Sequence, residues 1–119
     1  MPTPNGTTPY SDIALSNTLS IDSLVYGSKW GGALGTGVSL SYSFLSNDSL
    51  FANNYSSDNE YANSYQLSAN QKTAITSALG SWSAVANIDF ALINDSTTSA
   101  GDLRFGGYAG MGDQAAAWA

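Results

Sequence analysis

Residues 38–44 read Val-Ser-Leu-Ser-Tyr-Ser-Phe, and the prediction of a sheet begins with this segment. Its four apolar residues alternate strictly with three serines, which is the period-two pattern of a β-strand. The apolar side chains therefore share one face of the strand and the serines share the other. A slip of one residue would exchange the two faces, so the pattern also specifies the register.

A long helix is predicted over residues 68–87. Ser68 and Gln71 have the spacing of a capping box in its first turn. Apolar residues then recur at steps of three and four, which gives one apolar stripe: Ile75, Ala78, Leu79, Trp82, Val85 and Ala86. We expect this stripe to face the sheet, with Trp82 in the core and Gly80 allowing a close approach.

Two further strands are predicted after the helix, over residues 88–93 and 102–105. In the second, Leu103 and Phe105 would face inward and Arg104 outward. Trp30 is expected to close one end of the sheet. Residues 1–12 are predicted as an extended arm, and residues 20–26 contain a short helical turn that starts at Ser20 or Asp22. Residues 27–32 are predicted to break regular structure, and residues 46–66 and 106–112 to form loops. A last extended segment is predicted over residues 114–119.

The order of these elements predicts an α+β fold. One long helix would lie against a twisted, mostly parallel sheet, and the strand–helix–strand portion would form a crossover between parallel strands. The length of 119 residues is typical of one domain. Within it, we expect residues 1–20 to be a flexible arm or a pro-segment.

The composition excludes several classes of function. The chain has 3 basic and 9 acidic residues and a net charge of -6, which argues against binding to nucleic acids or anionic membranes. It has no His and no Cys, which excludes disulfides, Ser-His-Asp catalysis and the common zinc ligands. No apolar run is long enough for a transmembrane helix, and the first residues do not resemble a Sec signal peptide.

No catalytic constellation stands out among the acidic residues. Neither EF-hand spacing nor a carboxylate pair of the glycosidase type is present. We therefore interpret these residues as solvated loop acids, with Asp102 and Asp113 the two of greatest interest: Asp48, Asp58, Glu60, Asp89, Asp95, Asp102 and Asp113. The glycine-rich segments 31–37 and 106–112 lack the Lys-Ser/Thr of a phosphate loop.

Taken in order, six segments resemble the N-terminal part of the catalytic domain of serralysin-type secreted zinc metallopeptidases, within the metzincin clan. They are Gly-Ser-Lys-Trp-Gly-Gly at 27–32, the stretch 37–44, Leu-Ser-Ala-Asn-Gln-Lys at 67–72, Trp-Ser-Ala-Val-Ala-Asn-Ile-Asp-Phe at 82–90, Gly-Asp-Leu-Arg-Phe-Gly at 101–106 and residues 114–118. The resemblance covers residues 21–119.

The resemblance implies a metzincin-like N-terminal subdomain, incomplete, over residues 21–119. It also implies that the edge strand along the substrate cleft begins at Ala115, Ala116, Ala117 and Trp118, where an extended peptide substrate would pair. The family's zinc motif, His-Glu-x-x-His-x-x-Gly-x-x-His, would follow that strand. Because the chain has no His, no catalytic residue and no metal ligand is assigned in it.

The intact parent would then be an extracellular metalloendopeptidase that uses zinc-activated water, binds calcium and leaves the cell by a type I exporter. Its partner would be a protein or peptide substrate, and we expect no binding to nucleic acid or to a membrane. We also expect the protein to be a monomer. The chain alone would be inactive and, with an exposed apolar sheet edge, of low stability. The alternative is a non-catalytic secreted binding or adhesive module. A carboxylate-pair hydrolase has no constellation to support it.

Overall fold

A parallel three-stranded sheet with one long helix organises the fold. The computed structural model describes residues 8–23, 27–47, 49 and 59–110. Its elements, in chain order, are β1 Tyr10–Asp12, α1 Leu19–Asp22, β2 Ser28–Trp30, β3 Val38–Phe44, α2 Glu60–Asn63, β4 Ser64–Tyr65, α3 Ala69–Val85, β5 Ile88–Leu92, β6 Leu103–Phe105 and β7 Gly107–Tyr108.

The central sheet has the strand order β5-β3-β6, and both pairings are parallel. Val38 lies opposite Ile88, and Phe44 lies opposite Phe105. The predicted α+β class and the crossover from β3 through α3 to a parallel β5 are confirmed. Since parallel strands place their carboxyl ends at one edge, the loops after β3 and β5 leave the sheet side by side.

The apolar face of β3 forms the centre of the core. Leu40 is 2% exposed and Tyr42 is 5% exposed. The rings of Tyr42, Phe44 and Phe105 pack with centroids 5.7 to 6.4 Å apart. Edge-to-face and tilted contacts of this kind are favourable for aromatic rings. The alternation of the sequence therefore predicts correctly which side chains of β3 enter the core.

Helix α3 begins as predicted but packs differently. Ser68 and Gln71 form the capping box. None of the residues of α3 is buried, and Trp82 is 62% exposed, so the prediction of a core Trp82 is wrong. The prediction for Gly80 is also wrong, because a side chain there would meet nothing within 4 Å.

The exposure of Trp82 has a geometric reason. The half-buried positions of this region form a line centred on Leu79: Lys72, Ile75, Leu79, Ser83 and Ala86. At 3.6 residues per turn, Trp82 lies about 60° and Val85 about 120° round the helix from that line. The apolar stripe of the sequence is thus wider than the face that α3 presents to the sheet.

Two small antiparallel ladders correct the predicted breaks and loops. β1 pairs with β2 inside the segment predicted to break regular structure, with Gly27 and Gly31 at positive φ on either side of β2. β4 pairs with β7, so residues 46–66 and 106–112 are not wholly loop. Trp30 belongs to the first ladder and is 45% exposed, so it does not close the central sheet.

Two further predictions concern the N-terminal part of the chain. The helical turn α1 starts at Leu19, slightly ahead of the predicted start. Thr8 and strand β1 lie within residues 1–20, and the division of the chain at residue 20 stays a prediction. Among the described residues, no helix has the length and apolar character needed to cross a membrane.

Candidate functional site

The serine face of β3 carries the densest polar cluster of the described residues. Ser43 on this face is fully buried, and its Oγ donates a hydrogen bond of 2.8 Å to Asp95 Oδ2. The same Oγ accepts from the backbone N of Gly101 at 2.9 Å. Ser43 and Ser41 therefore hold the acidic residues Asp95 and Asp102 beside the sheet, while Ser39 on the same face is exposed.

Gly101 is required by this close approach. A Cβ added at Gly101 would lie 2.6 Å from the backbone of Tyr42 and Ser43, a separation that atoms of a real side chain do not reach. The absence of a side chain at Gly101 therefore lets the chain that leads into β6 pass directly over β3.

Asp95 and Arg104 form a two-pronged ion pair beside Ser43. Arg104 Nε donates to Asp95 Oδ2 at 2.7 Å, and Arg104 Nη2 donates to Asp95 Oδ1 at 2.5 Å. Ser49 Oγ also donates to Oδ1. Burial by itself raises the pKa of the Asp95 carboxyl, but the bonds from Arg104, Ser49 and Ser43 lower it below its ordinary value.

This pairing corrects two predictions. Asp95 is 7% exposed and is not a solvated loop acid. Arg104 does lie on the face opposite Leu103 and Phe105, but it points into the polar cluster, and 19% of its side chain is exposed. A charged side chain buried without an opposite charge has a high free-energy cost. Asp95 and Arg104 reduce this cost for each other, which explains why both are found inside the cluster.

Asp102 forms the second centre of the cluster. Its carboxylate accepts bonds from the backbone N and the Oγ of Ser41, at 2.8 and 2.7 Å. It also accepts from the backbone N and the Oγ1 of Thr8, at 3.2 and 3.0 Å. Burial raises the pKa of Asp102, while these bonds lower it to a net value below the ordinary one. Asp102 thus fastens the segment before β1 to the central sheet.

The buried polar atoms of the cluster are all hydrogen-bonded. Every buried side-chain nitrogen or oxygen of the described residues has a hydrogen-bond partner. Each oxygen of the Asp95 carboxylate accepts two hydrogen bonds, which leaves no lone pair for a metal ion. A general acid needs a raised pKa, and the pKa of both Asp95 and Asp102 is lowered. The geometry therefore assigns both carboxylates to holding loops in place.

A cavity of about 770 Å³ adjoins this cluster, between α3 and the carboxyl ends of β3 and β5. Lys72 supplies the positive charge in its wall, with its Nζ 5.7 Å from the centre of the Phe44 ring. The Oγ1 groups of Thr73 and Thr76, also in the wall, donate to helix carbonyls. The hydroxyls of these two wall residues are therefore already used within the helix.

The described residues do not fit the zinc or the calcium that the family resemblance implies. The chain has no His or Cys, and no group of three potential metal-binding side chains occurs in the described ranges. No step of peptide hydrolysis can be assigned to them. The predicted substrate-contacting residues lie outside the described residues: Ala115, Ala116, Ala117 and Trp118. Three of the acidic residues also lie outside them: Asp48, Asp58 and Asp113.

Sequence reasoning missed the Asp95–Arg104 pair and the position of Lys72 in the cavity wall. One signal was available for the pair in the sequence, because Arg104 is the single arginine of the chain. Its position opposite Ser43 comes from the strand register, which the sequence does not show. Comparison of the chain with protein-family models, with curated proteins and with solved structures found no match.

Proposed function

We propose that this chain forms the N-terminal part of the catalytic domain of a secreted, serralysin-type zinc metalloendopeptidase. The observation that carries the proposal is the order and spacing of the six segments quoted above. The parallel arrangement of β3, α3 and β5, with β6 on the other side of β3, is compatible with the coarse fold class that the resemblance implies.

In this proposal the chain is scaffold rather than catalyst. The zinc ligands and the general base would come from residues that this sequence does not contain, since it has no His. Residues 115–118 would begin the edge strand that pairs with an extended peptide substrate. Export by a type I system and calcium binding elsewhere in the protein belong to the same proposal.

Two features of the described residues support a scaffold role. β6 lies at one edge of the three-stranded sheet, so a further strand has a place to pair. In addition, α3 has no buried residue although its sequence carries a broad apolar stripe, which leaves apolar surface for other parts of a larger domain to cover.

The nucleotide sequence downstream of the Ala119 codon tests the proposal first. We expect the reading frame to continue into His-Glu-x-x-His-x-x-Gly-x-x-His, and we expect the longer protein to cleave casein. A chelator should abolish this cleavage and added zinc should restore it, while replacement of the motif glutamate by Gln should prevent it. A stop codon directly after Ala119 would refute the proposal.

A non-catalytic binding module is the second candidate. It is favoured by the aromatic side chains that the described surface exposes: Tyr10 at 73%, Trp30 at 45%, Tyr65 at 52% and Trp82 at 62%. Saturable binding of a ligand by the 119-residue chain, together with a stop codon after Ala119, would establish this candidate in place of the peptidase.

A further inference from the structure

The outer face of the β1–β2 ladder combines two exposed aromatic side chains with a carboxylate. Tyr10 lies directly opposite Trp30, and Asp12 lies opposite Ser28. Since side chains alternate across a strand, Tyr10, Asp12 and Trp30 share one face, which we call the aromatic–acidic face. All three are exposed, whereas Ser11 and Lys29 on the other face are half-buried.

The register places the two aromatic residues directly opposite each other. Gly31 N donates to Pro9 O at 2.6 Å, just beyond the Tyr10–Trp30 pair. This pair therefore occupies a position without direct hydrogen bonds between its own residues, where opposite Cβ atoms are about 5 Å apart. A ligand group placed over the ladder can thus contact both side chains at once.

The aromatic–acidic face is held in place from both ends. Thr8, two residues before Tyr10, is bonded to Asp102, and Ser11 Oγ donates to Gly31 O at 2.6 Å. Ile13 N donates to Gly27 O at 2.9 Å at the other end of the ladder. Because the backbone is already ordered, binding at this face would require little further loss of conformational entropy.

Charge determines which ligand suits the face. The Asp12 carboxylate makes no hydrogen bond or ion pair among the described residues. Lys29 lies on the opposite face of the ladder, and its Nζ donates a hydrogen bond to Gly32 O. Aromatic rings attract cations through their faces, most strongly for Trp, and a nearby carboxylate adds to that attraction. The net charge of -6 further favours a cationic partner and opposes nucleic acid.

We propose that Tyr10, Trp30 and Asp12 form a binding site for cationic side chains of a basic peptide. A guanidinium or ammonium group would lie over the aromatic pair and interact with the Asp12 carboxylate. The test of this site needs only the 119-residue chain and no peptidase activity. It therefore stands or falls independently of the peptidase proposal.

The test is titration of a fluorescein-labelled hexa-arginine peptide with the chain, followed by fluorescence anisotropy. We expect saturable binding that weakens as salt is added, and no binding of a matched hexa-glutamine peptide. Trp30→Leu should weaken binding about two- to fivefold, and Trp30→Phe, which retains an aromatic ring, should weaken it less.

The matched controls separate the site from general acidity. Asp12→Asn and Asp89→Asn change the net charge equally, and Asp89 is an exposed acid on β5. Asp12→Asn should weaken binding about two- to fivefold more than Asp89→Asn. Trp82→Leu removes an exposed Trp from α3 and should leave binding unchanged.

Three results would overturn the proposal. The first is equal weakening by Asp12→Asn and Asp89→Asn, which would indicate non-specific attraction. The second is unchanged affinity in a Trp30→Leu chain whose circular dichroism shows it to be folded. The third is Trp30-dependent binding of cellohexaose without binding of hexa-arginine, which would assign the face to a sugar.

Discussion

At the scale of single residues, the fold depends on buried charge more than the low charged fraction suggests. Asp95 is almost fully enclosed, and Arg104, Ser43 and Ser49 supply its hydrogen bonds. Truncating one partner of such a pair leaves an uncompensated charge in a poorly solvated place. The unfolded chain hydrates both charges, so this cost falls on the folded state alone.

Asp95→Asn should therefore lower the free energy of unfolding substantially. We expect a loss of about 3 kcal/mol, because an amide cannot supply the negative charge that the Arg104 guanidinium bonds in the folded chain. Urea unfolding followed by tryptophan fluorescence measures this change. Asp89→Asn, an exposed acid with the same change in charge, should shift the free energy by less than about 0.5 kcal/mol. Equal effects of the two variants would contradict the role assigned to the ion pair.

Stability should also depend on pH through Asp95 and Asp102. Burial raises the pKa of both carboxyls, but their hydrogen bonds outweigh it and lower the folded-state pKa below the ordinary 3.8. Their contribution is then complete above the unfolded pKa and is lost as the pH falls through the lower folded pKa.

We accordingly expect the urea midpoint to be nearly constant from about pH 7 to pH 5 and to fall between about pH 4 and pH 2. The double variant Asp95→Asn/Asp102→Asn should show a lower urea midpoint at neutral pH, and its midpoint should fall less steeply as the pH is lowered below about 4. If the urea midpoint falls as steeply at acid pH in the double variant as in the original chain, other carboxyl groups cause the loss of stability.

At the scale of elements, the sequence predicts the long ones well. The serine alternation locates β3, and the capping box and apolar steps locate α3 to within two residues of its ends. β5 follows from a short apolar run, and β6, although only three residues long, follows from the alternation of Leu103 and Phe105 with Arg104. These elements carry their own periodicity, so no knowledge of distant partners is needed to find them.

What could not be predicted depends on distant contacts. β1, β2, β4 and β7 have two or three residues each, and none of them shows the alternation of apolar and polar residues that β6 has. Asp102 bonds Ser41, 61 positions away, and Thr8, 94 positions away. Sequence reasoning therefore interprets the two loop acids nearest the sheet as solvated, and only the fold reveals their partners.

The capping box offers a test at this scale. Ser68 Oγ accepts from Gln71 N at 3.3 Å, and Gln71 Oε1 accepts from Ser68 N at 2.9 Å. Ser68→Ala removes the first of these bonds and should cost about 1 kcal/mol in urea unfolding. Ser77→Ala, at an exposed position inside α3, should be neutral or slightly stabilising because Ala favours helix. A loss of equal size in both variants would contradict a specific cap.

At the scale of the whole molecule, the core is thin for the apolar content of the chain. Its buried apolar residues in the described ranges are Leu40, Tyr42, Leu45 and Ala100. Large apolar side chains of α3 and β5 remain exposed instead, with Val85 at 81% and Leu92 at 58%. β5 is also an edge strand, so Leu92 lies beside backbone groups that have no strand partner in the described sheet.

An exposed edge with an apolar side chain is a template for association with another chain. We therefore expect the isolated 119-residue chain to self-associate, with a sedimentation coefficient that rises between about 10 and 200 μM. Leu92→Lys should reduce this rise, because a lysine on an edge strand opposes pairing between strands. Leu34→Lys is the matched control, since Leu34 is 70% exposed but lies outside the strands.

If both variants sediment alike at every concentration, the β5 edge is not the contact. If the unmodified chain sediments as one species throughout, the exposed apolar surface does not drive association, and the thin core is sufficient for a stable monomer.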